Sequence, residues 1–387
     1  MNKVKEKLKE AYAKIFGFLF FKAKIVNKVL FINFNGKGYG DNPKSICEYL
    51  RTNYPDIQLV WLSDSSEGFP KDVKVIKYGS IRAFWEQSTS KVWVYNTRSF
   101  IRIPKKIGQY YIQTWHASVG FKNIERAVES TLPQKYVKDA KYDGIVTDLL
   151  VSDSQIQTEY FKKYFWYTGE IIRCGLPRND ELYYSSLSDS KKENYKTKLH
   201  LPKFSKVVLY APTFRDNGNV DYLKINFERL RDSFQKNIES EVYLLIRLHP
   251  NDSEMSSSIQ FSDKIIDVTN FGDMQELLVV ADVLISDYSS SILDFILLEK
   301  PYIRFANDLE EYTSYRELTN LYYELPDEIV KDVDSLYSYS INFWDNFDYS
   351  MLKEFKYKYI SPVFDGKASE RVSQRIVHVL GKYYDEF

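Results

Sequence analysis

DVLISDYSSSILDFILLEKPYIRF, residues 282–305, carries an apolar run, a small polar segment and a second apolar run in unbroken succession. Residues 283–285 have strand character, 286–291 are small and hydroxyl-rich, and 292–298 are apolar on nearly every side until Glu299-Lys300-Pro301 halts them. Strand, turn and helix in this order belong to a parallel α/β sheet. The helix, with Asp294 as its one interior charge, is expected to be buried against that sheet. Ser289, Ser290 or Ser291 is expected to cap it, and Ser291 with Asp294 resembles a capping box with a short carboxylate. One serine suffices for a cap. Spare hydroxyls beside free N–H groups and the positive end of the helix dipole suit an anion, most often phosphate. A capped helix without a ligand is the alternative for this stretch alone.

Outward from this stretch the same alternation continues. Strands are expected at 206–211, 242–248 and 264–268, with helices at 222–234 and 274–281. The first strand runs into PTFRDNG (212–218) and the second into HPND (249–252). Arg215, His249 and the segment 286–291 thus each follow the carboxyl end of a strand, where open parallel sheets bind ligands. Each has a plain reading: a surface turn, a core-edge histidine, a cap. Together, with no acidic cluster beside them in sequence, they read as a pyrophosphate cradle.

The first half has the same pattern, with strands expected at 29–34, 57–62, 73–78, 91–95, 110–115, 144–147 and 171–174, and helices at 43–53, 80–88 and 154–165. His116 directly follows one strand, in QTWHASVGFK (113–122), and its titration range suits general acid/base work; a structural histidine is the alternative. NFNGKGYGDN (33–42) permits tight turns but matches no complete nucleotide fingerprint. The pattern breaks between about residues 183 and 205, the expected domain boundary, and 367–384 reads as a terminal helix in which His378 is structural. Residues 306–348 read as solvated helices and connections.

Composition limits the function. Lys plus Arg equals Asp plus Glu at 53 each among 387 residues, so no whole-chain field favours nucleic acid. Cys47 and Cys174 lie far apart with no secretory pattern before them, which points to a reducing cytosolic setting. The histidines (116, 200, 249, 378) show no metal-ligand spacing, so no metal site is expected, and no cofactor motif is found. Residues 1–28 hold eight lysines against two glutamates. Leu8, Tyr12, Ile15, Phe16 and Leu19 share a helical face there. The apolar run 15–21 is too short to span a bilayer, so the segment is either a cytoplasmic-face anchor on anionic lipid or an ordinary packed first helix.

The ordered set DNP (41–43), QTWH (113–116), GLPRND (175–180), YAPTFRD (210–216), RLHP (247–250), SDYSS (286–290) and DGKASER (365–371) resembles the CDP-glycerol glycerophosphotransferase family of teichoic-acid primases and polymerases. The resemblance implies an α/β GT-B architecture of two Rossmann-like domains facing across a cleft. It places a membrane-associating helix at 1–24, an acceptor domain at 25–190, a CDP-donor domain at 191–366 and a terminal helix at 367–387. It further implies a monotopic enzyme at the cytoplasmic membrane face that moves a polyol phosphate from CDP-glycerol or CDP-ribitol to a lipid-linked saccharide or polyol-phosphate acceptor, releasing CMP. On this resemblance His116 and His249 are catalytic, with His116 taking the acceptor's proton. Arg215, His249, Pro250, Ser286, Asp287, Ser289 and Ser290 bind the donor, and Asn42, Lys122, Arg178, Asn179 and Asp180 shape the cleft. The segment Ala117-Ser118-Val119-Gly120 departs from the Gly and Pro many members carry there, which leaves the polyol and the acceptor open. The alternatives are a GT-B glycosyltransferase or epimerase using a nucleotide sugar, and a catalytically silent membrane-bound binding module.

Overall fold

The computed structural model describes residues 2–99, 101–360 and 363–381. They form two compact units, the first comprising 1–116, 124–180 and 363–387, the second 117–123 and 181–362. The sequence places the boundary at 190/191; the chain changes unit at Asp180/Glu181, returns to the first unit for its terminal helix, and lends 117–123 to the second.

In the first unit β1 (Val26–Ile32), β2 (Gln58–Ser63), β3 (Lys74–Lys77), β4 (Ser90–Tyr95), β5 (Tyr110–Gln113), β6 (Leu149–Ser152) and β7 (Glu170–Arg173) form one sheet ordered β3-β2-β1-β4-β5-β6-β7. All its pairs are parallel. Continuous burial along β1, β2 and β4 follows from covering both faces, as parallel sheets require. The helix Ala368–Leu380 supplies Val372, Ile376, Val377 and Leu380 to one face, and Gly381, at φ +73, ends it in the left-handed conformation. The expected continuation to Tyr384 reaches beyond the described residues. The strand expected at 144–147 is instead the end of the helix Gln134–Val146, and the strand follows at β6. A side chain at Gly144 would meet Trp166 O at 2.2 Å, so the apolar run there serves close helix packing.

The helix Asn2–Leu19 packs one face on the first unit and leaves other apolar side chains exposed. Ala13 and Gly17 are buried, and Phe16 stacks on Phe84 at 6.1 Å. Leu8, Tyr12, Ile15, Phe18 and Leu19 remain exposed, Phe18 at 83%. Phe16 thus turns inward, away from the face it shares in the sequence pattern. Lys28, counted there with the basic charges, is buried against Glu86 and Thr89.

In the second unit β8 (Lys206–Tyr210), β9 (Val242–Ile246), β10 (Ile265–Asp267), β11 (Val283–Ser286), β12 (Tyr302–Phe305) and β13 (Ile329–Val330) are ordered β10-β9-β8-β11-β12-β13, again wholly parallel. Strand β13 lies in the stretch that reads as solvated connection. Each sheet has the doubly wound order in which the first and fourth strands are neighbours, and the crevice above their carboxyl ends is the switch point where such sheets take ligands. The fold is the GT-B type of α/β protein, with switch points at β1/β4 and β8/β11.

Candidate active site

The second unit gathers the expected cradle at its switch point. Arg215 follows β8, the segment 286–291 follows β11, and His249 follows the adjacent β9. The loops touch directly: Thr213 N donates to Asp287 at 2.9 Å, Ser286 Oγ donates to Ala211 O at 2.6 Å, and Phe214 stacks on His249 at 5.6 Å.

The arginine does not stand free of acids, as its sequence neighbourhood suggests. Its guanidinium is 1% exposed, lies 2.8 Å from Asp287, and donates to Asp308 at 2.6 and 3.1 Å. Tyr222, Tyr288 and Tyr312 surround it, with ring centroids 4.7, 4.9 and 5.2 Å away. Neighbouring carboxylates outweigh the burial that disfavours its charge and keep it protonated. Arg215, Asp287 and Asp308 therefore satisfy one another, Ser286 is satisfied by Ala211 O, and together they build the floor of the loops. One guanidinium against two carboxylates leaves that floor formally at −1.

The groups left toward solvent are His249, Ser289 and Ser290. His249 is exposed, and its Nδ1 accepts from Asn251 N at 3.1 Å. A nitrogen that accepts carries no proton, so Nε2 carries it and His249 presents a donor. Pro250 opens the 3-10 turn Pro250–Ser258; its side chain lies outside the described residues. Ser290 is the N-cap of the helix Ser291–Leu297 but makes no side-chain cap bond. The capping box expected from Ser291 and Asp294 is thus not formed, since the cap falls one residue earlier and Asp294 is buried, accepting from Gln275 at 3.4 Å. Ser289 Oγ instead accepts from Ser291 N at 3.3 Å and Ser291 Oγ at 2.9 Å. Lys122 belongs to this unit, its ammonium 5.8 Å from the Tyr312 centroid.

In the first unit His116 lies at the other switch point. Phe34, just past β1, packs on its ring at 5.3 Å, and Asn96 O, just past β4, lies 2.9 Å from Nδ1. A carbonyl only accepts, so Nδ1 carries the proton and Nε2 holds the lone pair: the opposite tautomer to His249. Burial lowers the imidazole's pKa, and the bond to Asn96 only partly offsets this. Phe34 (φ 39), Asn35 (φ 55), Asp41 (φ 57) and Trp115 (φ 54) all take the left-handed backbone that non-glycine residues avoid. Such conformations persist only where the surroundings impose them. Asn42 imposes part of it, donating to Trp115 O at 2.9 Å and accepting from Arg178 N at 3.0 Å. Arg178 pairs with Asp41 at 2.9 Å and donates to His116 O.

Asn42 and Arg178 are therefore supports of the histidine loop. Asn179 is buried in the turn Pro177–Asn179. The Asp180 carboxylate accepts from Ala368 N at 3.0 Å and Ser369 N at 2.7 Å, in the first turn of the terminal helix. Asp308 and Asn96 were missed in the sequence, since nothing in their local pattern sets them apart.

Comparison with known proteins gives the family. A family model described as CDP-glycerol:poly(glycerophosphate) glycerophosphotransferase matches residues 15–378. The chain is 30% identical over 377 residues to the teichoic acid glycerol-phosphate transferase of Staphylococcus aureus, a match covering 92% of this chain and 94% of that one. It is 32% identical over 294 residues to the teichoic acid poly(glycerol phosphate) polymerase of Staphylococcus epidermidis, covering 73% of this chain but 41% of the polymerase. It therefore spans less than half the length of that longer relative. The solved structure of a histidine-to-asparagine variant of the wall teichoic acid polymerase TagF superposes with a TM-score of 0.86 at 26% identity, covering 97% of this chain and 94% of that one. With the family model spanning both Rossmann-like units and their switch-point loops, the chain belongs to the CDP-glycerol:poly(glycerophosphate) glycerophosphotransferase family.

Proposed function

We propose that the protein transfers glycerol phosphate from CDP-glycerol to a hydroxyl of a lipid-linked acceptor, releasing CMP. The acceptor oxygen forms a bond to the phosphorus bearing glycerol as the bond from that phosphorus to the CMP oxygen breaks. His116 Nε2 takes the hydroxyl proton; His249 Nε2–H, with Ser289 and Ser290, donates to the phosphate oxygens and the departing CMP. Phosphoryl transfer asks the protein chiefly for positioning and charge stabilisation, which this division of labour supplies. The observation that carries the reading is the pair of histidines fixed in opposite tautomers, one an acceptor and one a donor. One of the TagF structures was obtained with CDPG soaked in, which favours the glycerol donor over ribitol.

Incubation with CDP-glycerol and a lipid-linked disaccharide is expected to release CMP. Release from CDP-ribitol alone would change the polyol; turnover of UDP-sugars without CMP would replace the reading by that of a nucleotide-sugar enzyme.

The acceptor's lipid fits the first helix, whose exposed apolar row is joined by Phe21, Lys14, Lys22 and Lys24. Among the described residues no helix is long and apolar enough to cross a membrane. Ile15→Glu with Phe18→Glu is expected to abolish sedimentation with anionic vesicles and leave the melting temperature unchanged, because both side chains already face solvent. Undiminished sedimentation of the folded variant would remove the helix as the membrane contact.

A further inference from the structure

Residues 117–123 precede the boundary by sequence yet belong to the second unit. Backbone bonds fix them there: Lys122 bridges Leu318 in antiparallel fashion, Asn123 N donates to Glu317 O at 3.0 Å, and Thr319 N donates to Phe121 O at 2.8 Å. Phe121 packs edge-on to Tyr322 at 5.4 Å. Lys122 is thereby held over Tyr312, which stacks on Tyr288 at 3.7 Å, both rings against Arg215.

The charges acting on its ammonium are Asp287 after β11, Arg215 and Asp216 after β8, and Arg316 after the helix Leu309–Tyr315. The other cations have carboxylates: Arg215 has Asp287 and Asp308, and Arg316 lies 2.9 Å from Asp216. Among the described residues Lys122 has no ion pair or side-chain hydrogen bond of its own. Burial therefore dominates and pushes its pKa down to about 8. A half-buried lysine whose ammonium meets a tyrosine ring and no carboxylate lacks an anion. The loop floor beside it, formally −1, repels a diphosphate unless a cation stands over it.

We propose that Lys122 is the counter-ion of the donor's diphosphate: its amino group, held on Tyr312 above the second switch point with no carboxylate partner, pairs as the ammonium with the phosphate oxygens, the fraction that is neutral amine in the free enzyme taking up a proton as they bind. This rests on the donor reading above and adds a proton linkage to it. An arriving anion favours the charged lysine and raises its pKa, so binding draws in a proton wherever the free enzyme holds the amine. Donor affinity therefore declines as pH rises through about 8.

Calorimetric titration of CDP-glycerol into the full chain, in Tris and in EPPS, measures this uptake. From a free pKa of about 8, roughly three quarters of a proton per donor is expected at pH 8.5, and roughly a tenth at pH 7. Lys122→Met is expected to keep the wild-type melting temperature, lose the uptake, and raise the donor KM about tenfold or more at pH 7, the scale of one charge-assisted contact. Lys122→Arg, always charged, is expected to restore KM without restoring uptake. Donor binding without uptake in the wild type at pH 8.5, or full uptake in Lys122→Met, overturns the proposal and leaves the transferase reading standing. Inorganic pyrophosphate bound with uptake, where CDP-glycerol does not bind at all, would instead retain Lys122 as a diphosphate counter-ion and remove the transferase reading; binding of neither removes both.

Discussion

His116→Ala is expected to lower kcat by about 10²–10⁴, the usual contribution of a positioned general base, while the donor dissociation constant stays within about twofold. The split follows from where the groups lie in the fold. Every side chain assigned to the donor belongs to the second unit, whereas His116 and its supports belong to the first. The Nδ1 bond to Asn96 O fixes the tautomer, and Asn42 and Arg178 hold the loop backbone that carries the ring. Because burial is the largest influence on its pKa and lowers it, the imidazole remains neutral into mildly acidic solution. The kcat profile should accordingly decline on acidification only below the ordinary imidazole range, and the decline should vanish from the residual activity of His116→Ala. Steady-state kinetics and equilibrium CDP-glycerol binding, measured on one preparation, check both statements. A parallel loss of donor affinity would mean that His116 holds the donor, and the role of base would pass elsewhere.

The fold was largely legible because burial on both faces of a parallel sheet writes itself as short apolar runs, as in 206–210 and 283–286. Candidate residues were legible for a related reason: Arg215, His116 and His249 each follow a strand's carboxyl end, and in these sheets that edge carries the ligand. Partners were not legible. Asp308 lies 93 residues from Arg215, and only β12 returning beside β11 brings it back. Lys122 sits six positions after a first-unit histidine, yet its environment is set by Leu318 and Tyr312. Asp180 occurs in a run that matches the family, but its carboxylate serves a helix nearly two hundred positions on. Gly144 reads as a strand start because apolar periodicity in so short a run does not separate strand from helix.

Arg215→Ala is expected to destabilise the second unit by about 3–5 kcal/mol and, through that loss, to weaken donor binding. The guanidinium is the cation shared by two buried carboxylates among three tyrosine rings. Removing it leaves Asp287 with the Thr213 and Tyr288 amides at 2.9 and 2.6 Å, and Asp308 with Tyr288 Oη at 2.9 Å. Those bonds keep the acids satisfied in part but supply no positive charge. Arg215→Lys is expected to recover only part of the loss, since an ammonium lacks the planar fork that reaches both acids at once. Asp308→Asn in the Arg215→Ala background should cost less than the two separate changes together, as groups in one ion network are not additive. Urea unfolding of the four species of that cycle, beside CDP-glycerol binding by each, separates two roles for the arginine. If it ties the loop after β8 to the loop after β11, stability and donor affinity fall together and Asp308→Asn returns part of both. If Arg215→Ala keeps wild-type stability and still fails to bind CDP-glycerol, the guanidinium meets the diphosphate itself, and the buried network is what moves aside to release it.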